Sequence, residues 1–437
     1  MRLRDYQHTW LASIRDAYRA GHRRVLAQSP TGSGKTVAFA YLAHRIAASG
    51  RTVLILVHRR ELTAQAHAKI PTAGVIAAGY TPTPGPVQIA SVQSLIRRQH
   101  PPADYVIVDE AHHATAGTYR AILDRYPEAR GLGVTATPCR TSGAGLGDVF
   151  TALVTGPTVA DLTAAGWLAP AVVYAPTGID TDGVPRRGGD YAAGALAIRA
   201  DKPHITGSAV DYYRRLSPGE PAIAFCVSRA HAVHVAAQFA AAGYRAAPVD
   251  GDTPTVERDR LIAGLATGDV QVLTSCDLIS EGVDVPVVSV GLMLRPTESL
   301  ALWLQQCGRI LRPAPGKTRP LILAPAENPP RHGLPDEPRE WTLNQTRAVR
   351  GGETPPPVRQ CPQCFYAHRP APVCPVCGWD YRPAERLIAE RAGELERVAV
   401  ARKRQVGMAR TREQLEQVAR ERGYKPGWVH MMLRARG

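Results

Sequence analysis

The stretch SPTGSGKT, Ser29 to Thr36, constrains this chain more than any other. It follows the apolar, strand-compatible run VLAQ at Val25–Gln28 and precedes a helix-compatible segment that begins near Lys35. A glycine-rich turn between a strand and a helix aims backbone N–H groups and the positive helix end at one point, and glycines are needed where backbone must approach phosphate oxygens closely. Pro30, Thr31, Gly32, Ser33, Gly34, Lys35 and Thr36 are therefore the candidate phosphate cradle. Lys35 is placed to reach the β and γ phosphates, and the Thr36 hydroxyl to take a position on Mg²⁺. Only six of the 53 cations are lysines, so Lys35 at this position is no compositional accident.

Two further motifs turn a phosphate-binding turn into a candidate hydrolase. YVIVDEAHH sets Asp109 and Glu110 at the end of an apolar strand, where adjacent carboxylates are costly unless they hold a cation or polarise a water. Asp109 is expected to hold Mg²⁺, and Glu110 to orient and deprotonate the attacking water. His112 is a candidate γ-phosphate sensor or a coupling residue to Thr135 and Thr137, whereas His113 reads as structural or exposed. QQCGRILR, Gln305 to Arg312, puts Arg309 and Arg312 three apart on one helix face. Two guanidinium groups presented across a cleft stabilise charge spreading over a transferred phosphoryl. Arg312 is the candidate finger and Arg309 the candidate γ-phosphate contact.

Short β-branched runs alternate with helix-compatible stretches: VLILV at Val53–Val57, AIAFCV at Ala222–Val227, VQVLTS at Val270–Ser275 and VSVGLML at Val288–Leu294. That alternation predicts an α/β fold of βαβ units with parallel sheets, in two lobes spanning 1–160 and 161–325. Proline is dense in 326–357, which reads as an extended linker that in part packs on the second lobe or not at all. A four-cysteine module at 358–382 and a basic helical tail at 383–437 complete the organisation. The formal charge of +15 favours a polyanionic partner such as nucleic acid, the alternative being a merely soluble basic protein. Residues 358–437 hold 16 Lys or Arg against 8 Asp or Glu, more than half of that surplus. No apolar run is long enough for a bilayer and the opening segment lacks a signal-peptide core, which predicts a cytoplasmic chain with no membrane partner.

Cys361, Cys364, Cys374 and Cys377 form C-x2-C-x9-C-x2-C, and each pair sits in a CPxC turn. Such turns present two thiolates to one cation, so four satisfy a tetrahedral Zn²⁺ whose binding supplies folding energy to a small module. Iron is the chemical alternative, and His368 an alternative ligand. Cys139, Cys226, Cys276 and Cys307 read as packing residues. Around the module, Arg369, Arg382, Arg402, Lys403 and Arg404 accompany Tyr424, Lys425 and Trp428. This pattern suits either stacking and phosphate contact or an amphipathic helix anchored by Trp428.

In their order, these motifs resemble those of the superfamily 2 helicases, DEAD/DEAH-box motors with two tandem RecA-like lobes, and the resemblance covers Arg2 to Arg312. LRDYQ at Leu3–Gln7 is similar to the family's adenine-recognising entry, which makes Arg4 and Gln7 candidate base contacts. VHRREL at Val57–Leu62 and IASVQSL at Ile89–Leu95 resemble its first-lobe nucleic-acid loops, and TATP at Thr135–Pro138 its coupling motif. TSCDLISEGVDVP resembles the second-lobe motif that touches nucleotide and strand, with Gly282 and Asp284 at the family positions. VHRREL, DEAHH, the cysteine cluster and GYKPGW together look most similar to RadD-type bacterial and phage helicases, which are associated with DNA repair and recombination. Ser29, where Gly is usual, and Gln306, where Arg is commoner, bear on substrate preference more than on hydrolysis. The resemblance implies MgATP hydrolysis between the lobes, coupled to movement along single-stranded, forked or duplex DNA, with RNA less favoured and single-strand-binding or repair proteins as partners. The alternatives are an RNA helicase or an ATP-gated clamp that recruits partners without processive motion. A P-loop phosphotransferase has no need of the arginine motif around Arg312.

Overall fold

The structure, a computed structural model, describes residues 2–58, 60–140, 143–176, 178–277, 285–325, 328–344, 358–381, 409, 411–425 and 427–435. The chain divides into two compact units, Met1–Tyr381 and Arg382–Gly437.

The first lobe is built on β1 (Arg24–Gln28), β2 (Val53–Val57), β3 (Gly74–Ile76), β4 (Val87–Ser91), β5 (Tyr105–Asp109), β6 (Arg130–Thr135) and β7 (Ala152–Thr155). These pair in the order β3-β4-β2-β5-β6-β1-β7, every pair parallel. Parallel strands joined by helical crossovers are covered on both faces, which is why β2 is a continuous apolar run with all five residues buried. Side chains still alternate. Val53, Ile55 and Val57 pack with Trp10, Ile14 and Phe39 on one face, while Leu54 and Leu56 pack with Tyr119 and Phe150 on the other.

The second lobe repeats the plan with β8 (Val172–Tyr174), β11 (Ala222–Phe225), β12 (Ala246–Val249), β13 (Val272–Ser275), β14 (Val290–Met293) and β15 (Leu321–Leu323). Their order is β12-β13-β11-β14-β15-β8, again wholly parallel. A small hairpin of β9 (Arg186–Arg187) and β10 (Asp190–Tyr191) is inserted after β8. The chain thus has the two tandem parallel-sheet lobes that its strand pattern predicts. No helix among the described residues is long and apolar enough to cross a membrane.

The four-cysteine module forms a short antiparallel pair, β16 (Arg359–Gln360) with β17 (Ala367–His368). It covers the edge strand β8: Tyr174 and Tyr366 form an antiparallel bridge, Ala175 N donates to Phe365 O at 2.9 Å, and the Gln360 amide donates to Ala175 O. An open strand edge invites stray pairing, and the module removes that exposure.

Within the proline-dense segment, the described residues 328–344 follow the packed alternative instead of the extended one. Residues 328–344 are packed, with Asn328, Pro329 and His332 buried in the short helix Asn328–His332. Side chains supply the hydrogen bonds that prolines cannot. Asn328 accepts from Thr297 N and donates to Arg295 O, both at 3.0 Å. The Arg339 guanidinium donates to the carbonyls of His332, Leu334 and Glu337 at 2.8–2.9 Å. Residues 345–357 lie outside the described residues.

In the second unit, helices Arg412–Arg422 and Gly427–Arg434 form a hairpin. Thr411 and Gln414 make a capping box at its start, and Gly423, at φ 63°, ends the first helix. Trp428 packs on the hairpin's own cluster of Leu415, Val418, Ala419 and Val429, and its ring lies 4.6 Å from that of Tyr424. Arg382, Arg402, Lys403 and Arg404 lie outside the described residues.

Candidate active site at the lobe interface

Gly34 caps the helix Lys35–Ala48 at φ 78°, and Gly32 stands at φ 87°, both in the left-handed region that favours glycine. A Cβ on Gly34 would also come within 2.7 Å of Gln7 Nε2 and displace that amide. Gln7 is buried and braces the loop: Nε2 donates to Ser33 O at 3.1 Å and Gly34 O at 3.2 Å, while Oε1 accepts from Arg4 N at 3.0 Å. Tyr6 OH adds a bond to Ser33 O at 2.7 Å. Arg4 donates to Tyr6 OH at 3.0 Å and lies over the Trp167 ring at 4.0 Å. Arg4 and Gln7 are thus at the glycine loop, with Gln7 committed to its backbone. Pro30 O accepts from Ser33 N and Lys35 Nζ, each at 3.2 Å, and Ser29 Oγ lies 2.7 Å from Ser33 Oγ. Thr36 occupies the first turn of the helix that Lys35 begins. Trp167 escaped the sequence reading because an isolated aromatic in AAGWLAP carries no periodic signal.

Asp109 ends β5 buried, and its Oδ1 accepts from Glu110 N at 3.0 Å. Glu110 holds φ at 50°, a left-handed conformation that a non-glycine residue keeps only when its surroundings enforce it. Burial, then the adjacent Glu110 charge, push the Asp109 carboxyl well above the usual range, against the pull of Lys35. Burial lowers the Lys35 ammonium, Glu110 and Asp109 pull it back up, and Arg309 and Arg312 push it down again. Charges from both lobes therefore act on Lys35. A buried Asp109 and a half-buried Glu110 acting on Lys35, with Thr36 in the first turn of the helix that Lys35 begins, are a donor set that fits a hard divalent cation.

His112 Nδ1 lies 3.4 Å from Glu110 Oε2 and 3.3 Å from Thr135 Oγ1. Thr135 Oγ1 donates to Thr137 O at 3.0 Å and accepts from Thr137 N at 3.2 Å, so the acid pair is wired to the turn after β6. His113 stacks on His58 at 4.4 Å and on Tyr119 at 6.5 Å, a packing position.

The second lobe contributes the helix Leu300–Ile310, capped by Ser299 Oγ accepting from Leu302 N at 3.3 Å. Arg309 is buried near its end and Arg312 follows. The lobes meet here without room to spare. A Cβ on Gly308 would lie 2.3 Å from Thr31 Cβ, and one on Gly32 would lie 2.9 Å from Leu168 Cδ2 and 3.5 Å from Arg312 Cγ. Gly282 and Asp284 fall outside the described residues.

The four module cysteines converge, with Cys361 Sγ 3.5 Å from Cys377 Sγ, Cys364 Sγ 3.7 Å from Cys374 Sγ, and all four sulfurs within 4.8 Å of one another. A tetrahedral ion with metal–sulfur bonds of about 2.3 Å separates its ligands by roughly 3.8 Å, so the set fits such an ion. Burial raises the Cys361 thiol, but the N–H groups of Cys364 and Gln363 and the Tyr381 hydroxyl outweigh it and bring the thiol down to about 6. His368 is not a fifth candidate: Nδ1 faces Arg369 O at 2.6 Å and Nε2 faces Tyr381 OH at 2.9 Å. Cys139, Cys226 and Cys307 are buried and Cys276 half-buried, away from the set.

Residues 1–140 match the family described as type III restriction enzyme, res subunit, and residues 207–314 match the helicase conserved C-terminal domain. The chain is 34% identical over 345 residues to a 51.5 kDa protein of a Lactococcus phage, covering 77% of this chain and 74% of that protein. It is 30% identical to IRC3, a candidate ATP-dependent helicase of Saccharomyces cerevisiae, over 71% of this chain and 49% of that protein. It is 28% identical to the DNA 3'-5' helicase XPB of Mycobacterium tuberculosis, over 71% of this chain and 58% of that protein. The chain thus spans about half the length of the yeast relative. Its fold is similar to a fragment of a candidate HsdR subunit of a Vibrio vulnificus type I restriction enzyme, with a TM-score of 0.61 at 20% identity over 76% of this chain and 67% of that one. Two matched lobes, an interlobe cleft holding the glycine loop, the acid pair and the arginine pair, and this kinship together make the chain a member of the superfamily 2 helicases.

Proposed function

We propose that the chain is an ATP-driven DNA helicase or translocase of the RadD type, with a role in repair or recombination. The observation that carries this reading is the seating of Gly308 and Arg312 against Thr31 and Gly32, which brings second-lobe cations to the glycine loop. The backbone of 30–36 and Lys35 bind the phosphates, and Arg4, beside Trp167, supports the base side. Glu110 accepts the proton of the attacking water, and Arg309 and Arg312 stabilise charge as it spreads over the phosphoryl. Thr36 and Asp109 would hold Mg²⁺, which supplies charge neutralisation between the phosphates. His112 reports the state of Glu110 to Thr135 and Thr137. Cys361, Cys364, Cys374 and Cys377 hold Zn²⁺ and keep the module on the sheet edge.

A nucleic-acid partner is favoured by the +15 charge, and DNA over RNA by kinship with a protein named as a DNA helicase. Phosphate contacts dominate such binding, so movement tolerates many sequences, and single-strand-binding or repair proteins are the expected company. The test compares phosphate release with single-stranded, forked and duplex DNA and with RNA, beside strand displacement. Stimulation by a DNA form, lost in Lys35→Ala, Glu110→Gln and Arg312→Ala, supports the reading. Stimulation by RNA alone overturns the DNA assignment, and stimulation without displacement or translocation replaces the motor with a clamp.

A further inference from the structure

Among the described residues the chain crosses between the lobes twice. The first crossing lies between β7 and β8. The second starts at Gly333, whose carbonyl accepts from Trp303 Nε1 at 3.2 Å, on the helix that also carries Arg309. Leu334 packs on the second-lobe core, and Arg339 fixes the turn that follows through its bonds to three carbonyls. Leu343 then packs on the first-lobe cluster that contains Leu146, Val149 and Phe150. Its carbonyl accepts from Gly147 N at 3.0 Å, and a Cβ on Gly147 would come within 2.6 Å of Asn344 Oδ1. Between its anchors the segment walls a cavity of ≈430 Å³, with Trp341 on one side and Thr31, Leu304, Gly308 and Leu311 on the others.

We propose that residues 333–344 are a splint that positions the arginine pair over the glycine loop, with Leu343 as its first-lobe anchor. The inference rests on the cleft being an ATP-hydrolysing site. The four residue-to-residue steps from Arg339 to Leu343 span at most roughly 14 Å even when fully extended, so with both anchors seated this edge cannot separate freely. Two crossings that wall one cavity with the glycine loop turn relative lobe motion into a hinge about that edge. Such a hinge returns Arg309 and Arg312 to one place, whereas a single linker leaves them a wide range of positions and lowers the fraction of time spent at the phosphate. The Leu343 side chain has no polar atom to offer a phosphate or a cation, so its role is positioning.

The experiment uses the full chain, with Leu343→Asp to release the anchor and a Gly-Ser insertion after Glu340 to slacken the segment while leaving both anchors intact. DNA-stimulated kcat for ATP falls about tenfold in each, the scale on which loss of orientation acts, while fluorescent ADP binds as to the parent because its phosphate contacts lie in the first lobe. Small-angle scattering without nucleotide shows a larger radius of gyration than the parent, and Leu343→Met keeps parental values. If Leu343→Asp fails to fold, the insertion variant decides. An active parent with equally active, equally compact variants overturns the splint alone. A parent without ATPase activity overturns the hydrolase reading and the splint with it.

Discussion

Gly308 of the second lobe and Thr31 of the glycine loop face each other so closely that a single methyl on Gly308 would lie 2.3 Å from Thr31 Cβ. No flexible side-chain end absorbs that overlap, because the Thr31 Cβ is bound directly to the backbone. Gly308→Ala therefore forces the lobes apart at the point where Arg309 and Arg312 enter the site. Loss of a transition-state arginine lowers phosphoryl transfer by about a thousandfold or more, and partial displacement is expected to lower kcat by about a hundredfold. Nucleotide binding to the first lobe stays near parental. A variant with parental phosphate release would show that the closed contact is not the hydrolytic one.

The Asp109 carboxyl is held above its ordinary value by burial and by Glu110. A carboxyl raised on folding keeps its proton where the unfolded chain has lost it, so folding is penalised as pH rises from the ordinary carboxylate range, and the penalty is complete above the folded value. Asp109→Asn removes that penalty. In Mg²⁺-free buffer at pH 8 the variant is expected to melt a few degrees above the parent, with the gap closing toward pH 4 and narrowing on addition of Mg²⁺. Equal melting temperatures across this range would contradict the account of a buried, raised Asp109 carboxyl.

His231 and His332 behave in the opposite sense. Burial lowers both to about 4, and His231 Nδ1 accepts from Val227 N at 3.3 Å while His332 Nε2 faces Thr297 O at 2.8 Å. Below the ordinary histidine value of about 6.5 the unfolded chain gains protons that the folded lobe refuses, so stability declines from there toward about 4. Denaturant titrations at pH 7.5 and 5 are expected to differ by about 1–3 kcal/mol, and His231→Gln to reduce the difference. A pH-independent midpoint over this range would rule the effect out.

The proposed four-thiolate metal site is tested by Cys374→Ser, which is expected to lose about one equivalent of metal by elemental analysis against the parent. The module then no longer covers β8, and the variant aggregates on heating while the parent does not. Metal content unchanged by the substitution would remove the four-thiolate site.

The sequence by itself determined the class of fold and the family. Short apolar β-branched runs alternating with helix-compatible stretches favour parallel strands joined by helical crossovers, and SPTGSGKT, DEAH and QQCGRILR each lie within a few adjacent residues, so local order suffices to read them. The roles of Gln7 and of the proline-dense segment were decided only by tertiary structure. Gln7 braces the glycine loop instead of presenting a free amide, because residues 26 and 27 positions away bring backbone carbonyls within its reach. Residues 328–344 pack rather than extend, because Asn328 and Arg339 hydrogen-bond partners that no periodicity announces, and Leu343 finds its apolar contacts on the opposite lobe. A motif is legible where its parts are neighbours in the chain; a long-range anchor becomes visible only once folding has brought its two halves together.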